Sequence, residues 1–169
     1  MGLFRWLLLW AVALGLTGCA YRLGPTNGVA ARERSVQVIP FSNQTMEPRL
    51  GDAVTAQLRK ELQRDGTYQL ASHNDGDIIV SGVVTAYSRL PLSFQPADAL
   101  TATDYSVQLA AQVTARERST GKVILDRRVT GSTLLIVGSD LTSAERQALP
   151  LLAAALAKNV TALLVDGAW

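Results

Sequence analysis

Between Asp104 and Arg118 polar and apolar residues alternate almost without fault. Tyr105, Val107, Leu109, Ala111, Val113 and Ala115 fall on one side, and Ser106, Gln108, Gln112, Thr114 and Arg116 on the other. A period of two marks a strand with one buried face. Ser119-Thr120-Gly121 supplies a hairpin turn, and Lys122 to Leu135 returns as a second strand. Earlier, Ser35 to Phe41 alternates as a strand whose end or edge position is marked by Pro40, which has no amide to give to a ladder. Thr67 to Ala71 is a short strand, and the turn Asn74-Asp75-Gly76 leads into another over Asp77 to Tyr87. The apolar run at the start of that strand predicts burial on both faces.

Two stretches change period to that of a helix. Over Glu47 to Asp65, Leu50, Ala53, Val54, Leu58 and Leu62 make one apolar stripe, with Pro48 suited to the first turn and Gly66 to the C-cap. Thr142-Ser143-Ala144-Glu145 has the spacing of a capping box, and Leu149 to Val165 carries the second stripe. Pro150 within it predicts a kink or a split. Leu90 to Thr103, with Pro91 and Pro96, reads as a long loop. The order is strand, helix, strands, long hairpin, helix. That order predicts an α+β two-layer sandwich, with two helices packed on one face of a mostly antiparallel sheet. The Ser106, Gln108, Gln112, Thr114, Arg116 face is left to water or a partner.

The first eighteen residues have a different pattern. Arg5 precedes an apolar run from Trp6 to Leu14, which is shorter than the roughly 20 residues a membrane span needs. It ends in Leu16-Thr17-Gly18-Cys19, a lipobox: a branched residue, two small residues, and a thiol that accepts a diacylglyceryl group. Residues 1–18 therefore read as a removed lipoprotein signal peptide, 19–34 as a lipid-anchored tether, and 35–169 as one domain. Several acyl chains on Cys19 anchor stably, at about 0.8 kcal/mol per buried methylene. A plain signal peptide would not need Cys19, the sole cysteine of the chain. Ala20 follows it where Asp would mark inner-membrane retention, so the expected location is the outer membrane, facing the periplasm.

Composition narrows the chemistry. The chain has 169 residues, 48% hydrophobic and 18% charged, which fits one folded domain. One Cys and one His (His73) leave neither a disulfide framework nor a Cys- or His-based metal site, so no cofactor is expected beyond the acyl anchor on Cys19. A net charge of +2 is too small to argue for nucleic acid. Ser72, His73 and Asp75 are loop neighbours without a nucleophile elbow, so they do not make a hydrolase.

Five passages, in order behind the lipobox, carry a family resemblance: Cys19-Ala20-Tyr21-Arg22-Leu23; Val38-Ile39-Pro40-Phe41-Ser42-Asn43-Gln44-Thr45 followed by Glu47-Pro48-Arg49-Leu50; Gly76 to Gly82; Tyr105 to Leu109; and Thr120 to Leu125. They resemble the lipopolysaccharide-assembly lipoprotein family LptE, with Ala20 where that family usually has Gly. The resemblance implies two helices on a four-stranded sheet and no enzymatic activity. It also implies an outer-membrane lipoprotein seated as a plug in the large β-barrel LptD, with which it delivers lipopolysaccharide to the outer leaflet. The partners so implied are an LptD-like barrel, lipopolysaccharide, and the membrane through the N-terminal lipid.

Arg116, Arg118, Lys122, Arg127 and Arg128 cluster around the predicted hairpin and are candidate contacts to lipid phosphates or to a barrel wall. The plainer alternative is a solvated hairpin end paired internally with Glu117 and Asp126. Periodicity does not decide which of Arg127 and Arg128 faces outward. Leu92 and Phe94, apolar in a predicted loop, are candidate barrel or acyl-chain contacts, or else fold back on the core. Asn43 and Thr45 read as structural caps. A competing function is a periplasmic regulatory lipoprotein that activates a peptidoglycan synthase. The tether of about 15 residues reaches only about 50 Å, short for that task.

Overall fold

The computed structural model describes residues 32–95, 98–137 and 140–167. The signal segment, Cys19 and most of the tether lie outside the described residues. Eight elements follow one another: β1 (Ser35–Val38), β2 (Ser42–Asn43), α1 (Leu50–Asp65), β3 (Gln69–Leu70), β4 (Ile78–Gln95), β5 (Asp98–Glu117), β6 (Val123–Ile136) and α2 (Leu141–Val165).

The strands form one six-stranded sheet in the order β3-β1-β4-β5-β6, with β2 also alongside β4. β1 pairs in parallel with β3 and β4, and β2 in parallel with β4. β4, β5 and β6 are antiparallel neighbours. The α+β class holds, but the expected four-stranded, mostly antiparallel sheet does not. The reason is connectivity: α1 stands between β1 and β3 and so carries the chain back to the same end of the sheet, which makes the next strand parallel.

The line of β1 and β2 breaks where Pro40 lacks an amide. Val38 lies beside Val80 and Ser42 beside Val83, so one extra residue is accommodated between them. The shift turns Phe41 into the core, over Gly82, where a Cβ would come within 2.2 Å of the ring. The Phe41 amide, left without a ladder partner, donates to buried Thr55 Oγ1 at 2.9 Å. α1 starts at Leu50 rather than Glu47 because Arg49 is left-handed (φ 63°), a conformation no helix can contain.

The largest departure is the predicted loop. Leu90 to Thr103 belongs to two long strands, β4 and β5, leaving only a short connection. Pro91 is tolerated because β4 has lost its other neighbour by then: β2 ends opposite Val84.

The core lies between the sheet and the helices. Val80, Val107, Leu109, Ala111, Val113 and Ala115 are buried beneath Leu50, Val54 and Leu58 of α1 and Leu152, Leu156 and Val160 of α2. α2 is long and apolar enough to cross a bilayer, but eight of its residues are buried in the domain, so it is a core helix. Its N-cap is Asp140, not Thr142. The Asp140 carboxylate accepts the amides of Thr142 and Ser143, each at 3.0 Å. Nor is it split at Pro150, which is exposed, so the Arg146 carbonyl that loses its amide partner faces water.

β6 is the outermost strand on its side. The Val137 amide donates to Thr103 at 2.8 Å, so odd-numbered residues of β6 direct their backbone groups to β5. Even-numbered ones point off the edge. Midway, Asn159 Nδ2 of α2 donates to the outward Thr130 carbonyl at 2.7 Å. Close by, α2 rides directly on the strand: a Cβ on Gly131 would lie 2.5 Å from the Leu156 nitrogen.

Candidate partner-binding surface

Cross-strand partners share a face of a sheet, so the register assigns every side chain. Arg116 lies opposite Ile79 and Val123, Thr114 opposite Ser81 and Asp126, and Gln112 opposite Val83 and Arg128. These residues form the face away from the helices, together with Gln108, Ser132, Leu134 and Ile136. Arg116, Arg128, Gln108 and Ser132 are exposed. Hydrogen bonds tie the strands on this side: Gln112 Nε2 donates to Asp126 Oδ1 at 2.6 Å, and Thr114 Oγ1 to the same atom at 3.4 Å.

The predicted basic cluster is therefore divided. Arg116 and Arg128 are on the open face. Arg127 lies opposite Val113, on the helix side, but is exposed at the sheet margin. Lys122 is exposed in the turn, which closes through Glu117 N to Lys122 O at 2.9 Å and Gly121 at φ 70°. Arg118 turns the other way, towards β1: its Nε donates to Gly76 O at 2.7 Å and another guanidinium nitrogen to Gln37 Oε1. The internal pairs considered for this cluster are not those observed. Glu117 pairs with Arg34 at 3.6 Å, and Asp126 is taken up by Gln112 and Thr114.

Leu92 and Phe94 are on the distal part of the β4–β5 hairpin, 54% and 47% exposed, and do not fold back on the core. Leu134, Ile136 and Leu151 add exposed apolar surface around a groove of about 480 Å³ between β6 and α2. Sequence reading placed none of these three in a site; the even-numbered alternation Ser132, Leu134, Ile136 was the available signal. The distal hairpin is fastened to α2 by Arg89, whose guanidinium pairs with Glu145. Burial beside it pushes the Tyr87 phenol above its ordinary value, and Glu145 adds to that shift.

At the base, Asp77 Oδ2 accepts the Ser35 amide at 2.8 Å and hydroxyl at 2.7 Å. The amide bond, then the hydroxyl bond, hold this carboxyl below the usual carboxylate range; Arg34 and Arg118 add to the effect. Asn43 and Thr45 are structural: Asn43 Oδ1 accepts from Thr45 N at 3.0 Å, and Asn43 Nδ2 donates to Glu47 O at 2.7 Å. His73 is exposed in its turn. Among the described residues no group of three His, Cys, Asp or Glu side chains is placed to hold a metal ion.

What decides the affiliation is a match of residues 33–164 to the family described as LptE, lipopolysaccharide-assembly. The chain belongs to the LptE family. The match spans almost the whole described domain, from before β1 into the last turn of α2. It makes lipopolysaccharide assembly the process in which this domain works. No curated protein matches the chain. Solved structures show the fold more widely. A DUF330 protein from Xanthomonas campestris is 11% identical with a TM-score of 0.60, covering 86% of this chain and 92% of that one. A hypothetical protein from Chlamydia trachomatis is 12% identical with a TM-score of 0.57, covering 78% and 95%. A minor lipoprotein from Acinetobacter baumannii is 16% identical with a TM-score of 0.50, covering 78% and 93%. At these identities the LptE-family chain shares an architecture with them.

Proposed function

We propose that this LptE-family chain is an outer-membrane lipoprotein, anchored through Cys19 on the periplasmic side. It serves as the non-enzymatic plug of an LptD-type β-barrel that delivers lipopolysaccharide to the outer leaflet. The observation that carries this reading is the one-sided sheet. Its helix face is filled by the core, while its other face presents Gln108, Gln112, Thr114, Arg116, Arg128 and Ser132. Lumens of large outer-membrane barrels are polar and are commonly filled by a plug. A face of amides, hydroxyls and guanidiniums can exchange its hydrogen bonds to water for hydrogen bonds to such a wall. The apolar residues of the distal hairpin, Leu92 and Phe94, extend that contact beyond the helices.

The test is co-purification of the full chain from detergent-extracted outer membranes. A stoichiometric large β-barrel is the expected companion. Recovery of a penicillin-binding protein without a barrel would replace this reading with the regulatory one. The double substitution Arg116→Ala, Arg128→Ala should lower barrel recovery and raise outer-membrane permeability to a large antibiotic. If both measurements stay at wild-type values, the open face is not the contact. Mass spectrometry of the N-terminus should find acyl chains on Cys19.

A further inference from the structure

The sheet edge at β6 is closed along only part of its length. Asn159 of α2 takes the outward carbonyl of Thr130 at 2.7 Å, and α2 lies directly on the strand at Gly131. Beyond that point helix and strand part, and the groove of about 480 Å³ opens between them. Leu134 and Ile136 line it from β6, and Ser143, Gln147 and Leu151 from α2, with Asp140 where the strand leads into the helix. Odd-numbered residues of β6 turn their backbone groups to β5, so the N–H and C=O groups of Ser132, Leu134 and Ile136 point off the edge beside this groove. Among the described residues no hydrogen bond reaches them.

A row of free donors and acceptors beside an apolar groove is what an added strand requires. The side chains of such a strand alternate between the two sides of the sheet. On the open side they would lie against Leu134 and Ile136, 54% and 68% exposed, and on the helix side against Leu151, 60% exposed. Both sides therefore favour apolar residues. Among the described residues lining the groove, Asp140 alone is charged. The Ser143 hydroxyl, then the Thr142 and Ser143 amides, hold its carboxyl below the usual carboxylate range, so it is an anion at neutral pH. Its complement is a cation on the first residue of an antiparallel strand, the one that falls opposite Val137.

Chain length excludes this molecule's own ends as the occupant. The tether 19–31 joins the domain at Arg32, whose amide donates to Thr67 O at 2.8 Å beside the start of β1. Val36 is level with Ile78, whereas Leu134 shares a row with Ser106 and Leu90. The groove is thus about twelve residues further along β4, roughly 40 Å away. A strand of about six residues cut from the tether leaves about seven to cover that distance, at most about 25 Å. Residues 168 and 169 follow α2 at its opposite end, where Tyr68 Oη donates to Leu164 O at 2.9 Å. A second copy fits poorly as well. With Asn159 closing the rest, it would share only about 20 Å of edge, a strip well short of the roughly 800 Å² per partner of a stable dimer.

We propose that the groove between β6 and α2 is a docking site for an extended segment of a different polypeptide, which adds as an antiparallel strand along Ser132 to Ile136. The segment is about six residues long, the stretch of edge left free beyond Asn159. It is apolar on both sides and carries Lys or Arg at its N-terminal end to meet Asp140. The site does not rest on the barrel reading, because every group that forms it belongs to this chain.

The experiment measures hydrogen exchange of single amides by NMR on the full chain in detergent micelles, with the capped peptide Lys-Ile-Val-Ile-Thr-Ile as probe. The outward amides of Leu134 and Ile136 should exchange fast in the free chain and at least about tenfold more slowly at saturating peptide. The inward amide of Leu135, already paired with β5, should not change. The same peptide N-methylated at its second and fourth residues is as apolar but cannot bond to the edge, and it should leave both outward amides fast. Replacing the peptide's Lys by Gln should weaken binding up to about fivefold. Asp140→Asn, which keeps the oxygen that caps α2, should remove that preference. Equal protection by the N-methylated peptide would reduce the effect to apolar adsorption and overturn the site. So would fast exchange at Leu134 and Ile136 at saturation, or equal affinity for the Lys and Gln peptides. Protection already present in the free chain and lost on dilution would give the edge to a second copy and overturn the proposal.

Discussion

At the scale of single residues, two polar groups dominate what can be tested. Thr161 is 4% exposed, and its hydroxyl is buried without a hydrogen-bond partner among the described residues. An unpaired buried hydroxyl is destabilising, and Thr161→Val replaces it with a methyl group of similar size. Stability should rise by about 1 kcal/mol, read as a shift of the urea midpoint at constant slope. Asp77 works in the opposite sense. Its folded pKa lies below the unfolded carboxylate value because the ionised form accepts from Ser35. The stability it contributes is therefore complete above about pH 4, the unfolded value, and is lost as pH falls through the lower folded value. Asp77→Asn should flatten the acid limb of a plot of Tm against pH, with the curves of variant and wild type converging towards acid. Parallel curves would show that other carboxylates set that limb. At this scale the sequence was only partly legible. Asn43 and Thr45 are readable as a local turn because their partners are within a few residues. The partners of Arg118, by contrast, are up to 81 positions away, and no local pattern brings Gln37 into view.

At the scale of elements, periodicity located both helices and both long antiparallel strands, because each has one buried face with its own repeat. It failed where local chemistry spoke against the tertiary setting. Two prolines and scattered polar residues between Leu90 and Thr103 resemble a loop, yet the segment is paired strand at the end of a hairpin, where lost amides matter least. β1 and β3 were readable as strands but not as parallel ones, since direction follows from how α1 crosses the sheet, and the two-residue β2 was not read as a strand. The packing of α2 on β6 gives a sharp test. At Gly131 a methyl group would meet backbone, not a movable side chain. Gly131→Ala should cost about 1–3 kcal/mol and lower Tm, whereas Gly121→Ala, in open space, is opposed only by its positive φ. Leu92→Ser with Phe94→Ser should do neither. Both side chains are exposed, so stability should stay within about 0.5 kcal/mol while barrel recovery falls.

At the scale of the whole molecule, the two layers are unequal. One side of the sheet is sealed by helices, and among the described residues nothing covers the other. On the proposed plug role, a full chain extracted without a barrel should therefore associate with itself. Light scattering behind a sizing column should give a mass above the monomer, returning to a defined complex when the barrel is supplied. A stable monomer under the same conditions would mean that the polar face is content in water.

One contact limits how far such association can go. An outer strand of fourteen residues is an invitation to side-by-side growth, each copy adding its ribbon to the last. The amide of Asn159, reaching round from α2 to the Thr130 carbonyl, occupies that ribbon at its midpoint, so a neighbouring copy cannot pair along its full length. If the chain is the barrel plug proposed above, that single side chain is an obstacle to continuous stacking before the partner arrives.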